Sequence, residues 1–211
     1  QTAGQCKKAY GKDLRVLFQA TRNADGSFGL FMPLPSDKPE VKAKKEERHK
    51  IEIPLIQSTV EDLFHKTNKK TKFVKVGWLK SGRPILRSKE LENIKISLSH
   101  CDSLLICVAG YGEQGCDIEN VVKRSQKDWV ALLGNRKFGL QKKLIDLGFD
   151  LDFSGTVVWS AFETFKKLLN KSDLDFRLYD YYKNRIIFRA NEGDTNVNVC
   201  SMPIEATRGP V

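Results

Sequence analysis

The sequence GCDIE at residues 115–119 and the sequence WSAFETFKK at residues 159–167 stand on either side of a change in hydrophobic period. In the first, Asp117 and Glu119 alternate around Ile118, so on a strand both carboxylates leave the same face. From Gln126 onward the apolar residues recur with the period of a helix instead of the period of a strand. The two motifs therefore predict a strand followed by helices.

The second motif predicts an amphipathic helix with an apolar stripe made of Val158, Phe162, Phe165 and Leu169. Glu163 lies beside this stripe, and Lys166 and Lys167 follow about one turn later. Together with Asp117 and Glu119, Glu163 completes three carboxylates on neighbouring rigid elements. Three carboxylates with an adjacent lysine suit a divalent hard cation that holds a phosphate ester.

Composition describes a globular protein with a basic surface. The chain has 211 residues, of which 40% are hydrophobic and 29% charged, and its formal net charge is +10. No apolar run approaches the roughly 18–20 residues that span a bilayer. Five scattered cysteines without a CxxC pair predict a reduced, cytoplasmic protein with buried thiols and no zinc site. Net charge alone does not choose among nucleic acid, anionic membranes, phosphorylated molecules and acidic proteins as partners.

Alternation and turn signals predict the remaining elements. A hairpin of residues 14–22 and 28–33 is expected around the turn at 23–27. The run Lys42–Lys50 is a solvated loop, a mobile arm or a frayed helix, and a short helix at 59–64 is expected with Ser58 as its cap. Helices are expected at 126–133, 136–147 and 154–170, and strands at 72–79, 94–99, 104–109, 174–181, 184–190 and 195–201. Segregated strands and helices predict an α+β fold.

Four motifs in a fixed order add a family resemblance. GRPIL at 82–86 and ISLSH at 96–100 precede GCDIE and WSAFETFKK. The series resembles the 4′-phosphopantetheinyl transferases of the surfactin-synthetase type. Residues 129–167 are most similar to the transferase domains fused to iterative polyketide synthases, including the enediyne type. The resemblance implies two similar α/β subdomains related by pseudo-twofold symmetry, residues 1–112 and 113–211, in one domain excised from a larger synthase.

The resemblance also implies a reaction. Members of the family transfer 4′-phosphopantetheine from coenzyme A to a serine of an acyl carrier protein and release 3′,5′-ADP. By the same carry-over, the Mg²⁺ ligands are Asp117, Glu119 and Glu163, and Glu163 also serves as general base. Lys167 would contact the pyrophosphate, and the other coenzyme A contacts would come from Arg83, Ser99 and His100. The basic surface would meet an acidic carrier protein, which could belong to the same polyketide synthase.

Two departures from the family pattern bear on activity. Cys116 replaces the usual isoleucine and keeps an apolar position. Phe162 replaces a lysine that is expected to contact phosphate, and the stripe places Phe162 in the core. The alternative function is therefore a catalytically degenerate domain that docks carrier proteins. Nucleic-acid binding is disfavoured, because Lys42–Lys50 lacks interleaved aromatic residues, and no membrane partner is expected.

Overall fold

The computed structural model describes residues 14–21, 28–33, 45–66, 74–102, 104–182 and 185–205. Within these ranges the helices are α1 (Lys45–Lys66), α2 (Gln126–Asp146) and α3 (Leu151–Leu169), with a 3₁₀ turn at Lys89–Leu91. The strands are β1 (Leu14–Thr21), β2 (Phe28–Pro33), β3 (Val76–Trp78), β4 (Pro84–Leu86), β5 (Ile94–Cys101), β6 (Leu104–Tyr111), β7 (Gln114–Asn120), β8 (Phe176–Tyr182), β9 (Arg185–Glu192) and β10 (Thr195–Glu205). The fold is therefore mixed α+β.

One core forms beneath α1. A three-stranded antiparallel sheet has the order β2-β6-β5, and α1 packs on β6 and β2. Leu55, Ile56 and Val60 of α1 meet Ile96 of β5 and Leu105 of β6 in a buried cluster. The β5–β6 hairpin confirms the pairing expected for residues 94–99 and 104–109.

The second core forms beneath α3. A five-stranded antiparallel sheet has the order β7-β1-β10-β9-β8, and α3 packs on β7, β1 and β10. Val157 and Phe165 of α3 are buried against Phe188 of β9 and Val199 of β10. Because α3 covers the sheet at β7, it lies directly above the predicted acidic strand.

The two sheets meet at β7, which packs against β5 and β6. Cys116 and Ile118 on one face of β7 are buried against Ile106 and Val108 of β6. The five-stranded sheet also draws on both ends of the chain, because β1 lies between β7 and β10. The expected halves, residues 1–112 and 113–211, therefore do not coincide with the sheets, because β1 lies in the first half and the other four strands of its sheet lie in the second.

The hairpin predicted for residues 14–22 and 28–33 is wrong. Both segments are strands, but β1 pairs with β7 and β10 whereas β2 pairs with β6. Local alternation identified the strands, while long-range packing chose their partners. The turn at 23–27 lies outside the described residues.

The short helix capped by Ser58 is also wrong, because α1 begins at Lys45 and Ser58 lies in its interior. Residues 45–50 of the charged run are the first turns of this helix, with Arg48 and Lys50 exposed; residues 42–44 lie outside the described ranges. The strand expected at 72–79 shortens to β3, and residues 72–73 are not described.

The later helices confirm the expected pattern. The helices predicted at 126–133 and 136–147 correspond to α2, which is interrupted at Gly134 with a φ of 69°. Asp150 caps α3 by accepting from the backbone N–H groups of Asp152 and Phe153. No helix among the described residues has both the length and the apolar character to cross a lipid bilayer.

Candidate active site

Asp117 is the centre of the candidate site, and its side chain is almost fully buried on β7. Its Oδ1 accepts hydrogen bonds from Ser99 Oγ at 2.9 Å and from Lys167 Nζ at 2.7 Å. Its Oδ2 accepts from Ser160 Oγ at 2.5 Å. Three elements, β5, β7 and α3, therefore hold one carboxylate.

Backbone geometry explains why these elements meet. On β5, Ser97 Oγ accepts from the Cys116 N–H at 3.2 Å, which aligns β5 with β7. At Gly115 the helix comes so close that an added Cβ would lie 2.6 Å from the Thr164 carbonyl oxygen. Glycine at this position therefore allows α3 to rest on β7. Ser160 and Lys167 are two helical turns apart, so both face the strand.

Lys167 neutralises Asp117 and links the two sheets. Its ammonium donates to Asp117 Oδ1 at 2.7 Å, to Ser99 Oγ at 3.1 Å and to the Cys116 carbonyl oxygen at 3.0 Å. An ammonium has three N–H donors, so these three acceptors use its full capacity. The expected contact between Lys167 and a pyrophosphate would require at least one of these bonds to open.

Glu119 lies two residues beyond Asp117 on the same strand face. Burial, followed by the negative charge of Asp117, raises the pKa of Glu119 to about 7, and Glu163 adds a smaller increase. The positive charge of Lys167 and a hydrogen bond from Trp159 act against that rise in pKa. Asp117 and Glu163 are thus close enough to Glu119 to raise its pKa, although burial is the larger cause.

The carboxylates are not arranged as a finished metal centre. Both oxygens of Glu163 accept from Lys166 Nζ, at 3.0 and 3.2 Å. Across the described ranges, no group of three or more His, Cys, Asp or Glu side chains stands where it could hold a metal ion. Carboxylate oxygens nevertheless have the donor chemistry that Mg²⁺ prefers. A divalent cation, if bound, would compensate the charge of the partly buried Glu119 carboxylate.

Ser99 and His100 are separated by the pleat of β5. Ser99 faces Asp117, so His100 projects toward the opposite side of the sheet, where α1 lies. Loss of surrounding water, followed by the positive charge of Arg48, lowers the pKa of His100. Ser99 belongs to the Asp117 cluster, and His100 belongs to a neighbouring surface with Arg48.

Arg83 also lies apart from the cluster. Its Nη2 donates to Glu113 Oε2 at 2.8 Å, and both side chains line a cleft of about 340 Å³ together with Lys95. Lys95 and His100 are at opposite ends of β5, and five residues of strand span about 17 Å. The structure therefore does not bring Arg83 and His100 to one phosphate.

The prediction that Phe162 belongs to the buried apolar stripe is wrong. Its ring is only partly buried and lies outside the cluster formed by Val157, Val158 and Phe165. Instead, Lys137 Nζ stands 4.2 Å from the centroid of the Phe162 ring, and Lys166 Nζ stands 5.9 Å from it. The helix turns this aromatic ring toward the cationic surface rather than toward the core.

Two side chains in the site were not assigned a role from the sequence. Ser160 holds Asp117 Oδ2, and Trp159 donates to Glu119. The signal for Ser160 was present, because Ser160, Glu163 and Lys167 have the i, i+3, i+7 spacing of one helical face. The contact of Trp159 depends on the angle between α3 and β7, which local spacing does not define.

Comparison with known proteins adds no family assignment. Neither a scan of protein-family models nor a search of curated proteins finds a match to this chain.

Proposed function

We propose that this chain is a Mg²⁺-dependent 4′-phosphopantetheinyl transferase that modifies a serine of an acyl carrier protein. The observation that carries the proposal is that the buried Asp117 is held by Ser99, Ser160 and Lys167, a cluster drawn from three of the four motifs, with Glu119 on the same face of β7. The negative charges of Asp117 and Glu163 both reach Glu119, which is consistent with a cation-binding role for the three carboxylates. The order of the four sequence motifs supports the family and the pseudo-twofold fold that the family implies.

In the proposed reaction, the serine oxygen attacks the pyrophosphate phosphorus that carries the pantetheine arm. A phosphorus–oxygen bond to serine forms, and the bond to 3′,5′-ADP breaks. Mg²⁺ bound by Asp117, Glu119 and Glu163 would neutralise the phosphate oxygens. This reaction depends mainly on positioning and charge neutralisation.

The chain's own residues would position these groups. Ser99 and Ser160 fix both oxygens of Asp117, so this carboxylate has one orientation. Glu163 would accept the serine proton after releasing Lys166, which is itself exposed. Lys167 would exchange one of its three protein acceptors for a phosphate oxygen. Arg48, which is paired with Glu52 at 3.4 Å, and His100 would contact a second phosphate group on the opposite side of β5.

A test of the function is intact-protein mass spectrometry of an apo carrier domain incubated with the chain, Mg²⁺ and coenzyme A. A mass gain of one phosphopantetheine group is the expected result. Glu163→Ala should abolish that gain, whereas Glu61→Ala, which changes an exposed carboxylate on α1, should preserve it. No modification of any of several carriers would refute the transferase proposal.

A second candidate is a degenerate domain that docks carrier proteins without modifying them. Phe162 in place of a lysine favours it, as does the pairing of both Lys166 and Lys167 with carboxylates. In that case the chain would bind a carrier domain in the mass-spectrometry experiment without altering its mass. Phe162→Lys would then be the variant that tests whether one missing charge accounts for the lost chemistry.

A further inference from the structure

Three lysines lie close to the part of α3 that carries Phe162 and Glu163, and they are not equivalent. Lys166 is paired with Glu163 at 3.0 Å, and Lys167 is paired with Asp117 at 2.7 Å. Lys137 forms no ion pair with any described residue. Its charge is therefore not compensated by a carboxylate in the described part of the chain.

Lys137 reaches this position from another helix. It follows the break in α2 at Gly134, and its Nζ lies 4.2 Å from the centroid of the Phe162 ring on α3. An ammonium over an aromatic face is attracted by the negative face of the ring. The aromatic ring of Phe162, the neighbour of Glu163 in sequence, thus holds a cation without neutralising it.

The same lysine lines a cleft with room for an anionic group. The cleft has a volume of about 490 Å³, and its charged lining residues are Arg136, Lys137, Lys143, Arg177, Asp173 and Asp175. Four cations face two carboxylates, and one of those carboxylates, Asp175, pairs with Arg136 at 3.1 Å. The remaining positive charge favours an anion at the Lys137 end of the cleft.

We infer that Lys137, whose ammonium lies on the ring of Phe162, binds a phosphate group of the substrate at the Lys137 end of this cleft. The inference rests on the proposed function in naming coenzyme A as the source of that phosphate. Phe162 then serves to position Lys137, and the cation that a lysine at residue 162 would supply comes from α2 instead.

The test is the affinity of the full chain for coenzyme A, for inorganic pyrophosphate and for pantetheine, which lacks phosphate. Lys137→Ala should weaken coenzyme A binding by about tenfold to a hundredfold, the loss of one charge-assisted contact. Pyrophosphate should weaken in parallel, and pantetheine should not change. Lys137→Arg should retain the charge and most of the affinity. Phe162→Leu should lower coenzyme A affinity by about twofold to fivefold, because the Lys137 ammonium loses its contact with the aromatic ring.

Lys142 provides a matched control on the same helix. Its Nζ stands 5.0 Å from the centroid of the Phe138 ring, so Lys142→Ala removes one charge and one cation–π contact elsewhere on α2. Coenzyme A affinity should change by less than about twofold, because long-range charge effects are screened by salt. Thermal unfolding of each variant checks that the fold is intact, and Lys137→Gln replaces Lys137→Ala if the latter unfolds.

The possible outcomes distinguish the role of Lys137 from the transferase proposal. Equal losses in Lys137→Ala and Lys142→Ala would overturn the role of Lys137, even if the carrier is still modified. Pyrophosphate binding that depends on Lys137, without coenzyme A binding or carrier modification, would retain the phosphate site and overturn the transferase proposal. Failure of the parent chain to bind either phosphate compound would overturn both.

Discussion

Lys167 Nζ lies 2.7 Å from Asp117 Oδ1 and joins α3 to β7 at the contact between the two sheets. The side chain of Asp117 is 5% exposed, whereas that of Lys167 is 32% exposed. The pair is therefore asymmetric: the carboxylate depends on its partners for solvation, and the ammonium keeps some access to water. Because of this asymmetry, the Lys167 side chain is the partner that can change its contacts.

Removal of the ammonium should destabilise the fold. Lys167→Met leaves Asp117 buried without a counter-charge, and we expect the free energy of unfolding to fall by about 2–3 kcal/mol. Urea denaturation measures the loss. Lys166→Met is the control, because the pair of Lys166 with Glu163 is exposed and should contribute less than about 1 kcal/mol. Equal effects of the two substitutions would contradict the structural role of Lys167.

Ser160→Ala should remove one hydrogen bond from a buried carboxylate. The expected loss is about 1.5–3 kcal/mol in unfolding free energy, since bonds to charged groups exceed neutral ones in strength. Ser154 is a matched control on α3, because its buried Oγ has no hydrogen-bond partner among the described residues. Ser154→Ala should be nearly neutral. A Ser160→Ala protein as stable as Ser154→Ala would contradict the contact with Asp117.

Gly115→Ala should push α3 away from β7. The new Cβ would lie 2.6 Å from the Thr164 carbonyl oxygen and 3.0 Å from Leu168 Cβ, so backbone must move. We expect a loss of about 1–3 kcal/mol from overpacking, together with weaker carrier modification. Gly139→Ala in α2 meets nothing within 4 Å and should stabilise by about 0.5–1 kcal/mol through helix propensity. Chemical denaturation of both variants compares the two effects.

Glu119 predicts a pH dependence in the metal-free protein. Its pKa is raised from 4.5 to about 7 in the folded state, so the folded chain binds this proton more tightly than the unfolded chain. The resulting stability is present below about pH 4.5 and is lost as pH rises through 7. Glu119→Gln avoids this loss and, because solvent screens the partly exposed carboxylate, should exceed the parent chain by only about 1–2 kcal/mol at pH 8.

The measurement is unfolding by urea in EDTA at pH 5, 6, 7 and 8. The advantage of Glu119→Gln should grow across this series, whereas Glu61→Gln, at an exposed position on α1, should follow the parent curve. A constant difference between Glu119→Gln and the parent would contradict the raised pKa. Addition of Mg²⁺ at pH 8 should stabilise the parent chain more than Glu119→Gln, because the ion would bind the charged carboxylate.

Much of the site could be inferred from local pattern. The alternation around Ile118 placed Asp117 and Glu119 on one face of β7, and the helical period placed Glu163 and Lys167 on α3. These are properties of a few neighbouring residues, since a strand repeats every two residues and a helix every 3.6. The same rule misplaced Phe162, because a stripe drawn on a helical wheel does not say how wide a face the sheet covers.

What the sequence by itself determined was therefore most of the strands, the helices after residue 125 and the residues that share a face, although it did not show that residues 45–66 form one helix. The tertiary structure decided that β1 pairs with β7 and β10 instead of β2, and that Lys167 neutralises Asp117 from fifty residues away. It also placed Arg83 and His100 at different ends of β5 and seated Lys137 on Phe162. Periodicity is local, but strand partners and buried ion pairs depend on the free energy of packing distant segments together, which no single segment encodes.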